Sequence, residues 1–474
     1  MKKWTSLSRP LRIALLIILI PTAVAVLAYI IDHPRSSLSP SELKPLSLDG
    51  IKRILILAPH SDDETLGSGG LIQAAVQAGI QVKVVITTNG DGYRFATSEE
   101  FRKLYPTAKD YIRMGEVRQQ ESLTALARLG VPATDVIFLS YPDRGTPAML
   151  ETNWSASDPY QSPYSRTNQS PYPITYNPAS VYAGEDYLAD LSSIVEGFHP
   201  DLVVYPNPED VHPDHWGLSA FARLALTEIS HREPEYQPEQ ITYLVHRPDY
   251  PEPRGLKPGL GLVPPPALYP LYPDWLGWDL TPEQVTTKGQ AVKEYKSQLP
   301  LLKGLMESFV RSNELFAPVA SVDLPTAAAG DPLDPFTWVD SNGESIPPVQ
   351  LDPTGDVLSH DVLPGTDLKA VYAARTDSNE LWLCAGLHGK GVKEIPYILR
   401  LKSLTEAGIQ SFEARSSPKA GQARVTLSGK FFCTSMSLSD LGSPWAIFLD
   451  ATAESPDSIV PFDQTAWQMI HVQP

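Results

Sequence analysis

Five short apolar runs, at 54–58, 82–88, 136–139, 202–205 and 241–245, alternate with segments whose apolar residues recur at helical spacing. That alternation narrows the fold more than any other feature of the sequence. Strands joined through helices run parallel, because a crossover returns the chain to the same edge of the sheet. The helical segments are 64–78, 114–129, 186–198 and 216–229, and the first two stop at Gly79 and Gly130, ordinary helix stop signals. The expected architecture is α/β, a doubly wound, mostly parallel, Rossmann-like sheet. Ligands of such sheets bind beyond the carboxyl ends of the strands, so chemistry is sought there first.

The two ends of the chain read differently. Lys2, Lys3, Arg9 and Arg12 precede an uncharged run over 13–31, close to the ~20 residues that cross a bilayer. Basic residues before the run place the N-terminus inside and the body outside. The expectation is a signal-anchor at 1–31, a single-pass cell-membrane protein with its catalytic domain periplasmic or extracellular. A cleaved signal peptide ending near Ala23 and Ala25 is the competing reading. Residues 32–50 read as a linker. Beyond Phe316 the character changes: 321–360 is rich in Pro, Asp and Ala and reads as a second linker. From 361 to 474 short alternating runs separated by polar turns read as an antiparallel β-sandwich.

Composition removes several function classes. The formal net charge of −17 argues against nucleic acid as a partner, because a row of phosphates must be neutralised. Two cysteines, Cys384 and Cys433, cannot build a disulfide scaffold or a cysteine zinc site. They permit one bridge or two unpaired core thiols. Any metal is therefore held by His, Asp or Glu.

The first strand runs directly into His60-Ser61-Asp62-Asp63-Glu64. An imidazole and three carboxylates in five residues repel one another unless a cation sits among them. A polar turn capping the next helix accounts for one acidic residue, not three beside a histidine. The fourth strand is followed by Asn207-Pro208-Glu209-Asp210-Val211-His212-Pro213-Asp214-His215. Either cluster alone is a weak metal signal. Both at strand ends of one sheet converge, and they supply the N and O ligands zinc takes, with a position left for water.

Here the sequence resembles the PIG-L/LmbE-like family of zinc-dependent N-acetylglucosaminyl deacetylases. The family's first motif, AHPDDE, corresponds to Pro59-His60-Ser61-Asp62-Asp63-Glu64 after Ala58, with Pro59 and Ser61 departing from the usual alanine and proline. Its second, HPDH, is matched in full by His212-Pro213-Asp214-His215. The resemblance runs over 51–316, with echoes in Thr88-Asn89-Gly90-Asp91, in the helix around Glu116 to Glu121, in Asp143, and in Lys288 with the Tyr295-Lys296-Ser297-Gln298 ending. It implies that 51–320 is a metal-dependent deacetylase domain holding Zn²⁺, or Fe²⁺ in its place. His60, Asp63 and His215 become the metal ligands and Asp62 the general base. His212 becomes the protonated partner of the oxyanion, with Asp214 holding it. Glu64 either orients a ligand or caps the helix. Arg118 and Asp143 become substrate contacts; without the resemblance they read as a surface helix residue and a turn residue.

The resulting expectation is hydrolysis of an N-acetyl group on an N-acetylglucosamine-type sugar or glycoconjugate. A metal-dependent esterase or small-amide hydrolase is the runner-up. A non-catalytic envelope protein that binds glycan through the sandwich is a reading from another class. Two loop-like stretches, 151–182 and 248–278, are dense in Pro and aromatic residues and are expected to wall the cleft. His246, just past the fifth strand, is expected at most to line it.

Overall fold

The computed structural model describes residues 39–473 apart from 354–356, 358, 419–422, 457 and 459. Strands β1 (Lys44–Pro45), β2 (Arg53–Ala58), β3 (Gln81–Thr88), β4 (Val136–Tyr141), β5 (Leu202–Pro206), β6 (Glu239–Tyr243), β7 (Leu276–Asp279) and β8 (Asn313–Pro318) form one sheet in the order β1-β7-β8-β6-β5-β2-β3-β4. Neighbours from β6 through β5, β2 and β3 to β4 are parallel. Strand β8 is antiparallel to both β6 and β7, so the sheet is mixed. It enters between them from the opposite end.

Helices α1 (Asp63–Gln77), α2 (Arg94–Glu100), α3 (Ala108–Leu129), α4 (Thr146–Glu151), α5 (Gly184–Phe198), α6 (Pro213–Arg232), α7 (Pro282–Val292) and α8 (Leu299–Met306) complete this unit. Period-2 alternation along β2 sorts them onto two faces. Ile54 and Ile56 pack with Leu71 of α1, Leu126 of α3 and Val292 of α7. Leu55 and Leu57 pack with Leu191 of α5 and Phe221 of α6. Helix α3 begins earlier than its apolar period implies, because Thr107 and Asp110 form a capping box upstream.

The chain passes from β2 outward to β3 and β4, then crosses back to β5 on the other side of β2. The reversal opens a crevice at the carboxyl ends of β2 and β5, where a sheet of this kind receives a ligand.

The later strands are β9 (Val322–Asp323), β10 (Thr326–Ala327), β11 (Ala329–Asp331), β12 (Asp334–Val339), β13 (Gln350–Leu351), β14 (Leu368–Thr376), β15 (Glu380–Leu387), β16 (Tyr397–Thr405), β17 (Gly408–Arg415), β18 (Ala423–Arg424), β19 (Thr426–Ser428), β20 (Phe431–Ser437), β21 (Ala446–Ala453), β22 (Asp463–Gln464) and β23 (Gln468–His471). One sheet centres on β14-β15-β20 and another on β17-β16-β21-β23. Val371 and Leu383 of the first share a core with Leu399 and Leu449 of the second, so the two sheets face each other. Cys384 and Cys433, opposite one another on β15 and β20, are joined in a disulfide. The Pro- and Asp-rich stretch after β8 carries β9 to β13, and Trp338 within it is wholly buried.

One expectation is corrected. Among the described residues no helix is long and apolar enough to cross a membrane. The longest, α3, carries charged residues throughout on its solvent side. The 13–31 run that prompted the transmembrane, signal-anchor and cell-membrane reading lies outside the described residues, so no span supports that placement.

Candidate active site

Strand β2 delivers His60 to the crevice, and the turn into α1 is tight. Asp62 takes φ 130°, a backbone conformation that costs a non-glycine residue on the order of 1–3 kcal/mol and concentrates at functional sites. Three contacts hold it. The Glu64 carboxylate accepts from the Asp62 amide (3.1 Å) and from the Tyr295 hydroxyl. Asp63 Oδ2 accepts from the His60 amide (3.0 Å). Arg118 donates to the Ser61 carbonyl (2.7 Å) and the Gly90 carbonyl (2.8 Å), tying this turn to the one after β3. Gly67 lets α1 lie against the Tyr243 ring, which a Cβ would overlap.

Strand β5 delivers the second cluster. His212 caps α6, its Nδ1 accepting from the Asp214 amide (3.3 Å). An acceptor at Nδ1 puts the proton of a neutral ring on Nε2. One turn on, His215 is fully buried, with Nε2 3.0 Å from Asp63 Oδ2 and Nδ1 3.1 Å from Asp210 Oδ2. Neither contact is directed as a hydrogen bond, and Asp63 Oδ1 also has no hydrogen-bond partner.

The two clusters therefore meet. The His60 and His215 ring centroids are 5.4 Å apart. Donor atoms of His60, Asp63, His215 and His246 lie within 4.8 Å of one another. His60 Nδ1 is 3.1 Å and His246 Nε2 3.8 Å from Asp63 carboxylate oxygens. Zinc–ligand bonds of about 2.0–2.2 Å hold tetrahedral ligand atoms roughly 3.3–3.6 Å apart, so this donor set fits a divalent cation. A buried imidazole facing a buried carboxylate without directed hydrogen bonds is poor as a purely structural contact.

His60 also has a second side. Its Nε2 is 3.1 Å from Asp214 and 3.6 Å from Asp143, and these with His212 form a second possible donor group. Most of its acceptors are already engaged. Asp214 accepts from the Arg144 amide (2.6 Å) and the Thr146 amide (3.3 Å), and Asp143 from the Gly92 amide (2.8 Å). The Asp63 side is the better cradle.

Electrostatics separates the carboxylates. Burial pushes the Asp62 carboxyl up to about 8 against the pull of Arg118, 3.5 Å away. Burial would raise Asp63 too, but His215 and His60 outweigh it and hold it well below the usual range. Burial pushes Glu64 up to about 7 against Tyr295. His215, despite burial, is raised to about 9 by Asp210 and Asp63. Burial, then the neighbouring His60 and His246, hold His212 well below the ordinary histidine value.

Several residues stand differently from their expectation. Asp214 meets the His212 ring through its backbone amide, and its carboxylate turns to His60 instead. Arg118 is buried on backbone carbonyls, and Asp143 anchors Gly92. Tyr250 and Trp275 of the 248–278 stretch join the core. In the 151–182 stretch Tyr172 is buried on Asp91 (2.6 Å), while Tyr164 packs by Gly92 and Asp143. His246 belongs to the donor group, and Asp210 backs His215 and caps the Val245 and His246 amides (3.0 and 2.9 Å). The signal for Asp210 was present in the second cluster; that for His246 was only its place one residue past an apolar run.

Gly90 has φ +60°, and a Cβ there would overlap the Arg118 guanidinium. Gly90→Ala should cost about 1–3 kcal/mol and displace Arg118 from the Asp62 turn. Urea melts and kcat should both fall, kcat by roughly 10–100-fold; a variant with wild-type kcat would show that the tie does not hold the turn.

Comparison with known proteins adds the following. Residues 55–226 match the family model described as PIG-L, GlcNAc-PI de-N-acetylase. A 1D-myo-inositol 2-acetamido-2-deoxy-alpha-D-glucopyranoside deacetylase of Mycobacterium sp. (strain KMS) is 31% identical over 195 residues, covering 40% of this chain and 56% of the relative. The same-named enzyme of Kineococcus radiotolerans is 30% identical over 199 residues, covering 40% and 49%. The chain thus spans about half the length of the curated relatives it matches. Among solved structures, the N,N'-diacetylchitobiose deacetylase of Pyrococcus horikoshii is 18% identical with a TM-score of 0.36, covering 57% of this chain and 85% of that one. The segment running from β2 to α6, which carries His60, Asp62, Asp63, His212 and His215, is a PIG-L domain.

Proposed function

We propose that the chain hydrolyses the amide of an N-acetylated amino sugar of the N-acetylglucosamine type, giving the free amine and acetate. The observation that carries this reading is the donor set of His60, Asp63 and His215 meeting beside an Asp62 held in a strained turn. The names of the relatives support an acetamido sugar as the substrate. Zinc suits the N and O donors, and iron(II) is the alternative.

His60, Asp63 and His215 would hold the cation, with His246 beside them. A divalent cation bound there supplies Lewis-acid polarisation of the amide carbonyl and acidifies water. The Asp62 carboxylate takes the proton of the attacking water as its oxygen bonds to the acetyl carbon. It returns that proton to the sugar nitrogen as the C–N bond breaks. His212 donates through Nε2 to the carbonyl oxygen as it gains charge; one such donor is worth roughly 3–4 kcal/mol in measured cases. Glu64, Tyr295 and Arg118 keep Asp62 in place. Asp214 orients His60, and Asp143 shapes the turn next to it through Gly92.

The test is acetate release from N-acetylglucosamine conjugates by metal-loaded protein, read alongside metal content. His215→Ala should lose the metal and release no acetate. His246→Ala should keep at least half of the metal and weaken its affinity by about tenfold. Metal-loaded wild type that releases no acetate from any N-acetyl sugar conjugate would end the reading, and equal metal content in His215→Ala would end the ligand assignment.

A further inference from the structure

On the sheet of β14, β15 and β20, side chains alternate between the core shared with the other sheet and an outer face. Between that outer face and the β11–β12 hairpin lies a depression of about 460 Å³. Ligand clefts span about 300–1,000 Å³. Three rings form its aromatic part. Phe336 of the hairpin, 67% exposed, lies edge-on to Phe431 at 5.0 Å and to Tyr372 at 6.2 Å between centroids. An exposed phenyl ring on a strand, not folded into the core, leaves a face open to solvent that packing does not use.

The polar part of the depression is basic. Lys369 and Lys430 are exposed on its rim, and Lys430 Nζ donates to the His388 carbonyl (3.0 Å). His388, a half-buried residue of the wall, has its Nε2 atom buried away from solvent. The carboxylate on the wall, Asp334, is turned to its own hairpin, accepting from the Phe336 amide (3.1 Å). On a chain of net charge −17, two lysines beside an open aromatic ring stand out as a local reversal of sign; burial holds the His388 ring below the ordinary histidine value, so it adds no charge.

We propose that this depression binds a segment of acidic polysaccharide, with a sugar ring stacked on Phe336 and its carboxylates paired with Lys369 and Lys430. A uronate residue offers a face of C–H groups for the phenyl ring and an anion for the lysines within one unit. An acidic peptide offers the charge without the ring face. A nucleic acid would bring a row of phosphates against a strongly acidic protein. The site uses none of the His60–His215 residues, so its occupancy is independent of the hydrolysis proposed above.

The test is calorimetric titration of the full chain with tri-galacturonate, with neutral chitotriose and triglutamate as comparisons. Tri-galacturonate should bind at least about tenfold more tightly than either, and more weakly as salt is raised. Phe336→Ala and the double variant Lys369→Gln with Lys430→Gln should each weaken it by about tenfold or more, with unchanged thermal melts and unchanged acetate release from a small substrate. Phe336 and both lysines are exposed, so these variants fold. No binding of tri-galacturonate by wild type, binding unaltered in both variants, or triglutamate binding as tightly would each overturn the proposal.

Discussion

Asp62→Asn is expected to keep its metal and to lose turnover by about 10²–10⁴-fold, the usual contribution of a general base, or roughly 3–5 kcal/mol of barrier. The side chain keeps its volume, the Glu64 and Arg118 hydrogen bonds to the turn run through backbone atoms, the 3.5 Å contact of Arg118 with the Asp62 side chain loses its charge on one side, and no metal donor atom is altered. Metal content by elemental analysis should therefore match wild type. A kcat within tenfold of wild type would remove Asp62 from the chemistry; a variant stripped of metal would make it a ligand instead.

The same substitution has a signature in the metal-free protein. Burial pushes the Asp62 carboxyl up to about 8 from an ordinary 3.8. Between those values the folded chain holds a proton that the unfolded chain has released. Stability from this group then falls as pH rises through that window. Asparagine does not titrate, so in the presence of chelator the variant should lose that slope and be as stable as wild type or more so at pH 8. Urea midpoints measured from pH 4 to 8 read this directly, and parallel curves for the two proteins would contradict the burial argument.

Much of the site was legible because its residues are packed into two short stretches at strand ends. His60, Asp62, Asp63, His212 and His215 could be picked out because several chemical groups stand together where a sheet presents ligands. What the sequence hid was partnership over distance. Asp214 sits beside His212 in the chain, and proximity there implied that it holds that ring, yet the N-cap geometry of α6 turns the carboxylate to His60 and to backbone amides of the next crossover. Arg118 reads as one more polar residue of an amphipathic helix, and only the packing of α3 beside two turns shows it spanning Ser61 and Gly90. The parallel strands were read to within a few residues, because strands buried on both faces are nearly continuous apolar runs. Strand β8 carries the polar pair Asn313-Glu314 at its start, which no apolar-run criterion catches, so the antiparallel strand of this mostly parallel sheet went unread. The β11–β12 hairpin was hidden for a similar reason: its Pro and Asp content reads as linker although Trp338 anchors it.

Glu314→Ala should destabilise the PIG-L-bearing unit by about 3–5 kcal/mol, the cost of leaving one buried charge without its partner. Lys288 and Glu314 are both fully buried and 2.6 Å apart. Lys288 Nζ also donates to the Leu66 carbonyl (2.8 Å), and the two Glu314 oxygens accept from the Gly70 and Leu71 amides (2.6 and 2.8 Å). One ion pair thus binds α7 and β8 to the middle of α1, the helix whose first turn carries Asp63 and Glu64. Removing the carboxylate strands an ammonium group and two helix amides in a dry interior. Lys288→Met alone should cost a comparable amount, because it strands the carboxylate. The double variant Lys288→Met with Glu314→Leu should recover part of that loss, since replacing both partners with apolar groups of similar size is often close to neutral; the amides of Gly70 and Leu71 remain to be satisfied, so recovery stays short of wild type. Urea unfolding of the four proteins gives the coupling energy of the cycle. Strict additivity, with the double variant as unstable as the sum of the singles, would mean that the pair does not act as a unit. A loss below about 1 kcal/mol in Glu314→Ala would mean that water reaches the site and screens it as it does a surface pair.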